Sequence, residues 1–229
     1  MHYGSNNPQS KYVMGSVELD KTKTEKDLGV YFSHDLKWKQ QVIASAARAN
    51  SMLGLIRNTF KKFDIRLVRI LYMVYVRPLI EFAVPVWSPM LKGDMNLLEK
   101  IQHRVTRMVP GLRKLPYSER LEKLGLTTLE ERRTRGDLIQ TYKIFNGIEK
   151  VELCVEPVFR EEITRGHKQR YSREVCANET RQNFLTNRIA NEWNRLPEEV
   201  VSSKTTDEFK ARLDRHTNEL SNGIRIRLL

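Results

Sequence analysis

Short apolar stretches at residues 12–19 and 27–32, separated by a Lys/Thr/Glu-rich segment, predict two short strands pairing as one hairpin, with Gly15 and Gly29 as points of backbone freedom. After Trp38 the period changes. Val42, Ala46, Ala49, Leu53 and Ile56 follow steps of four and three, the stripe of a helix whose alanines admit a close neighbour. Asp64 is placed to cap a second helix, in which Leu67, Ile70, Leu71 and Val74 face one way while Tyr72 and Tyr75 widen the apolar surface. This helix is expected to be the most buried. Pro78 and Pro85 are expected to end or kink it.

A third helix restarts at Asp94 with the core stripe Leu97, Leu98, Ile101, Val105 and Met108, and Pro110-Gly111 stops it. A short helix over residues 117–124 ends at Gly125. Thr128 and Glu131 form a capping-box signature for a helix running to Phe145, with Gly147 as its stop. Gly136 inside that helix costs about 1 kcal/mol against alanine, which predicts either close packing there or a weaker helix. Residues 151–183 show no sustained period and read as a linker with short strands or turns. Beyond them, Leu185, Ile189, Trp193 and Leu196 line one helix ended by Pro197. A Thr205/Glu208 capping box opens another that carries Phe209, Leu213 and Leu220.

Charge changes the picture more than composition does. The 229 residues are 40% hydrophobic, sufficient for a core, but 40 Lys and Arg against 28 Asp and Glu leave a formal charge of +12. Such an excess favours a polyanionic partner. No apolar run approaches the roughly 18 residues of a membrane span, so nucleic acid is the expected partner rather than a membrane. Two cysteines, Cys154 and Cys176, do not suggest a disulfide framework, and an intracellular setting, nuclear or cytoplasmic, is expected. The sequon at Asn178 is then a chance occurrence.

Specific strings carry a family resemblance. Lys26-Asp27-Leu28-Gly29-Val30 followed by Asp35-Leu36-Lys37-Trp38 resembles the last reverse-transcriptase block and the start of the thumb in non-LTR, LINE-type retrotransposons of the jockey superfamily. Similar strings follow in order. They are Arg77-Pro78-Leu79-Ile80-Glu81-Phe82-Ala83, Val86-Trp87-Ser88-Pro89, and the run from Leu98 through Lys100, Arg104 and Val105 to Arg107. Further on come Tyr117-Ser118-Glu119-Arg120-Leu121, residues 126–137, and Trp193-Asn194-Arg195-Leu196-Pro197.

The resemblance covers nearly everything after Gly15. The periodic segments predict a mainly α fold, and the resemblance reads its parts as a small N-terminal β-hairpin (residues 1–37), a thumb-like helical bundle (38–150), an irregular linker (151–183) and a C-terminal helical region (184–229). The resemblance is to one part of a larger enzyme. It further implies an RNA-directed DNA polymerase whose fingers and palm lie outside this segment. The palm of such polymerases carries the carboxylates that hold two metal ions. No adjacent Asp-Asp pair occurs here, so a fragment that is non-catalytic alone is expected, either a truncated product or a piece of a longer polymerase. By the same analogy Leu28, Gly29 and Val30 are primer-grip-like, and the partners are RNA or an RNA/DNA duplex together with the missing palm and fingers.

Candidate nucleic-acid contacts come from the residues themselves. Lys100, Arg104 and Arg107 recur at four and three beside the apolar stripe of their helix, and Arg181, Arg188 and Arg195 recur at seven. Arg132, Arg133 and Arg135 follow Glu130 and Glu131 near a helix start, where cations oppose the helix dipole and part of their charge can be paired locally. A solvated face is the ordinary explanation of any one stripe; the net charge favours binding for the set. Trp38, Trp87 and Trp193 are assigned to packing. Cysteine and histidine spacing predicts no zinc site, no Walker, dinucleotide or nucleophile-elbow motif occurs, and no cofactor is expected. The alternatives to a nucleic-acid-binding fragment are a host-retained helical module that binds protein and a nonfunctional translated relic.

Overall fold

The computed structural model describes residues 1–4, 7–153, 155–160 and 166–227, with side chains described as far as residue 220 in the last helix. The chain divides into two compact units, Met1–Arg133 and Thr134–Leu229. Among the described residues it is mostly helical, with three two-stranded β elements.

In the first unit the predicted single hairpin resolves into two. β1 (Val13–Met14) pairs with β2 (Val17–Glu18), and β3 (Thr24–Asp27) pairs with β4 (Val30–Ser33), both antiparallel. Asp27 faces Val30 across a two-residue loop in which Leu28 (φ 44°) and Gly29 (φ 87°) are both left-handed. That is the combination a type I′ turn requires, and leucine conceals it because its Cβ disfavours the left-handed region.

Helix α1 (Lys39–Thr59) buries all five positions of its predicted stripe. It also buries Gln41, whose Oε1 accepts from Tyr31 N at 3.0 Å and so ties the helix to β4. Asp64 caps α2 (Ile65–Leu71) by accepting from Leu67 N at 2.8 Å. The helix continues through a π turn at Tyr72–Val76 into α3 (Arg77–Glu81).

The expected face is not the buried one. Val68, Leu71, Tyr72, Val76 and Ile80 are buried, whereas Ile70, Val74 and Tyr75 are 48%, 55% and 51% exposed. In the π turn Arg77 N reaches back five residues to Tyr72 O, which rotates the later side chains relative to an α-helical projection. Pro78 is tolerated immediately after the wide turn, at the start of α3, so it does not end the helix.

Helix α4 (Val84–Trp87) leads to α5 (Lys92–Thr106), which buries Leu98, Ile101 and Val105. After a 3-10 turn at Pro110–Leu112, α6 (Tyr117–Leu124) closes on Gly125 at φ 60°. The capping box of α7 (Leu129–Phe145) is reciprocal: Glu131 N donates to Thr128 Oγ1 at 3.2 Å and Thr128 N donates to Glu131 Oε2 at 2.9 Å.

A buried polar knot crosses this unit. Gln102 accepts from Tyr72 OH and donates to Thr127 O at 2.9 Å and Tyr117 OH at 3.0 Å. Tyr117 OH donates to Glu99, whose other oxygen accepts from Leu129 N at 3.0 Å. Burial and the nearby Glu99 carboxylate push the Tyr117 phenol far above its ordinary value, so it stays a neutral donor.

The second unit packs Leu138 and Tyr142 of α7 with Tyr171, Ile189, Trp193, Leu196, Val200, Phe209 and Leu213. Residues 151–183 are more than a linker. β5 (Val158–Phe159) pairs with β6 (Tyr171–Ser172), and buried Tyr171 donates to Thr186 O at 2.6 Å. A short helix α8 (Glu179–Gln182) lies in that stretch, α9 (Leu185–Arg188) and α10 (Ala190–Arg195) replace the single helix expected from Leu185 to Leu196, and α11 (Glu198–Val201) follows Pro197. The final helix α12 (Thr206–Arg227) buries Phe209 and Leu213 but leaves Leu220 56% exposed. Among the described residues no helix is long and apolar enough to cross a membrane.

Candidate nucleic-acid interface

Lys100, Arg104 and Arg107 are exposed, while Leu98, Ile101, Gln102 and Val105 of the same helix are buried. The amphipathic split predicted for α5 is therefore present, with cations on its open side. Arg104 Nη1 donates to Asn50 Oδ1 of α1 at 2.7 Å, which limits the directions its guanidinium can take. None of the ion pairs among the described residues includes these three side chains.

More cations gather at the C-terminal end of α5 than the sequence pattern indicated. Arg113 Nε donates to Arg107 O at 3.2 Å. Arg120, buried in α6, donates to His103 O at 3.2 Å and Thr106 Oγ1 at 2.7 Å. Its guanidinium lies 5.3 Å from the centre of the Tyr117 ring, which stacks on His103 at 3.5 Å. Guanidinium groups satisfy helix-terminal carbonyls and complement the negative end of the dipole, which accounts for Arg113 and Arg120 structurally. Burial, then Arg120 and Arg107, hold the His103 imidazole below its ordinary pKa, so at neutral pH the cluster's charge comes from arginine.

The other predicted cations are placed differently. Arg132 forms a two-pronged pair with Glu81, through Nε to Oε1 and Nη2 to Oε2 at 2.8 Å, and Arg77 approaches the same carboxylate at 3.6 Å. Arg133 is 7% exposed and belongs to the buried set, so its guanidinium does not present to solvent. Arg135 grips Asp214 at 2.6 and 2.9 Å. These pairs explain how arginines persist near the start of α7 against its dipole.

The spacing of seven that suggested a stripe through Arg181, Arg188 and Arg195 does not produce one, because the three lie on the separate helices α8, α9 and α10. Arg181 pairs with Glu174 at 2.7 Å and lies over Phe184, and Arg188 grips Asp137 at 2.8 Å through two bonds. Arg195 pairs with Glu192 at 2.9 Å, but its side chain is 74% exposed, and such a surface pair dissociates readily.

The three residues expected to be primer-grip-like also separate. Val30 is buried in the core, Leu28 at the tip is 91% exposed, and Gly29 holds the turn against α3's end. A Cβ added to Gly29 would lie 3.1 Å from Phe82 Cε1. Trp87 and Trp193 are fully buried and Trp38 packs edge-on to Phe32, so all three serve packing. Among the described residues no three His, Cys, Asp or Glu side chains gather as metal ligands; Cys154 lies outside the described residues. Burial raises the Cys176 thiol pKa, so it is not an activated nucleophile.

Several strings that carry the family resemblance meet in these contacts. Glu81 binds Arg132, Glu99 binds Tyr117 and the start of α7, and Asp137 binds Arg188. Their polar residues thus serve as cross-helix fasteners. Compared with protein-family models, curated proteins and solved structures, the chain matches none.

Proposed function

We propose that this chain binds template or primer nucleic acid, RNA or an RNA/DNA duplex, through phosphates and without reading sequence, as the thumb and C-terminal part of a non-LTR retrotransposon reverse transcriptase. It positions the nucleic acid and does not polymerise. Two supports are independent: the ordered strings in the sequence, and a net charge of +12 in a chain where arginine pairing leaves one α5 face cationic. The observation that carries the binding reading is the exposed Lys100, Arg104 and Arg107 face, absent from every ion pair among the described residues.

Sequence-independent binding through phosphates is salt-dependent because each neutralised phosphate releases counterion. Three α5 contacts predict a slope of about −2.7 in log affinity against log salt on a duplex, with any further cations steepening it. The test is fluorescence anisotropy of a labelled RNA/DNA duplex titrated across salt, with wild type beside the Lys100→Glu/Arg104→Glu/Arg107→Glu variant. Loss of binding in the folded variant is expected. A flat salt response, or unchanged affinity in the variant, refutes the reading.

A further inference from the structure

A second surface of the first unit has a different chemistry from the α5 face. A groove of about 680 Å³ runs between α2 and α6, lined by Ile65, Ile70, Met73 and Leu124 together with Arg66, Arg69 and Lys123. Glu122 is the one carboxylate among its lining residues. Ile65 and Ile70 are 40% and 48% exposed, an apolar floor that the unit does not cover.

The groove follows from the backbone. Val68, Leu71 and Tyr72 set the buried side of the helix, which puts Ile70 on the opposite, outward side, and the π turn that follows seats Val76 in the core and leaves Tyr75 outside, so that Val74 and Tyr75 extend the exposed apolar surface along the same helix. At the other wall α6 ends on left-handed Gly125, and the Arg69 guanidinium lies along that glycine: an added Cβ would stand 3.4 Å from Arg69 Cζ. Any L-residue there would be strained at φ 60°, which favours glycine at this wall.

We infer that this groove docks an acidic amphipathic helix from a partner protein, its apolar side chains seated on Ile65, Ile70 and Met73 and its carboxylates meeting Arg66, Arg69 and Lys123. Charge complementarity selects the occupant: three cations against one carboxylate repel a basic segment and attract an acidic one. The apolar floor selects peptide over nucleic acid, since phosphates and sugars gain little from branched aliphatic side chains. Length fits as well. Residues 65 to 73 span roughly 12 Å at helical rise, close to the about 10.5 Å between positions i and i+7 of a helical ligand. This inference does not rest on the nucleic-acid reading.

The probe is a synthetic helical peptide with leucine at positions i, i+3, i+4 and i+7 and glutamate elsewhere, measured by fluorescence anisotropy against the intact chain. Saturable binding is expected, weakened about tenfold or more by Arg66→Glu/Lys123→Glu and by the charge-neutral Ile70→Ser, all at exposed positions that leave the circular dichroism spectrum intact. The Lys100→Glu/Arg104→Glu/Arg107→Glu variant is expected to bind the peptide in the same range as wild type, which separates this site from the α5 face. Four results overturn the inference. They are no saturable binding up to about 1 mM, equal binding of a peptide with lysine replacing glutamate, indifference to Ile70→Ser, and displacement of the peptide by single-stranded RNA through the same groove residues.

Discussion

Arg188 grips Asp137 with two parallel hydrogen bonds, Nε to Oδ2 and Nη2 to Oδ1, each 2.8 Å long. Side-chain exposure is 13% for the arginine and 5% for the aspartate, so both charges have left water. Removing one member of such a pair strands the other. Asp137→Ala is expected to lower unfolding stability by about 3–5 kcal/mol, read by urea denaturation, while exposed Arg195→Ala shifts it by less than about 1 kcal/mol. Equal effects would show that Arg188 is accommodated by solvent.

Gln102 is the second sensitive position. Its amide serves Tyr72, Tyr117 and Thr127 at once, so Gln102→Leu leaves several buried polar groups without a partner. Each unsatisfied group costs about 1–3 kcal/mol, and a loss of at least about 2 kcal/mol is expected. Amide exchange should speed up in α6 and at the start of α7, where the knot makes its contacts; unaltered protection there would contradict this.

Gly136 behaves in the opposite sense. A Cβ built on it meets no heavy atom within 4 Å, so close packing does not explain a glycine inside α7. Gly136→Ala is expected to raise the denaturation midpoint, with a gain of up to about 1 kcal/mol from helix propensity. A destabilised variant would mean that the position needs backbone freedom.

His167 gives the second unit an acid sensitivity. It is fully buried, its Nε2 donates to Trp193 O at 2.9 Å, and its Nδ1 has no hydrogen-bond partner. Burial lowers its pKa below the ordinary 6.5, with Arg170 lowering it further and Glu198 and the Trp193 carbonyl opposing. The folded protein therefore holds this imidazole neutral, while the unfolded chain protonates it near its ordinary value. Its contribution is fully present above pH of about 6.5 and is lost as pH falls toward the lowered folded value, at no more than about 1.4 kcal/mol per pH unit. Comparing wild type with His167→Gln by urea denaturation between neutral and mildly acid pH isolates this slope from that of His103, whose pKa is also lowered. Parallel pH profiles for the two proteins would remove the assignment.

Much of the helical architecture was legible because capping and periodicity act locally. Asp64, the Thr128/Glu131 box, Gly125 and the α1 stripe all sit where the sequence placed them. The turn at Leu28-Gly29 was hidden because leucine rarely carries a left-handed backbone, and the exchange of Tyr75 for Val76 in the core was hidden because a π turn shifts the helical projection beyond α2.

By itself the sequence determined the helical class, the starts or stops of the longer helices, the excess positive charge and the cationic edge of α5, all properties of neighbouring residues or of composition. Tertiary structure alone decided which arginines meet water. Carboxylates at Glu81, Asp137 and Asp214 lie far along the chain from the arginines they hold, and an ion pair depends on distance in space, which spacing in sequence does not report.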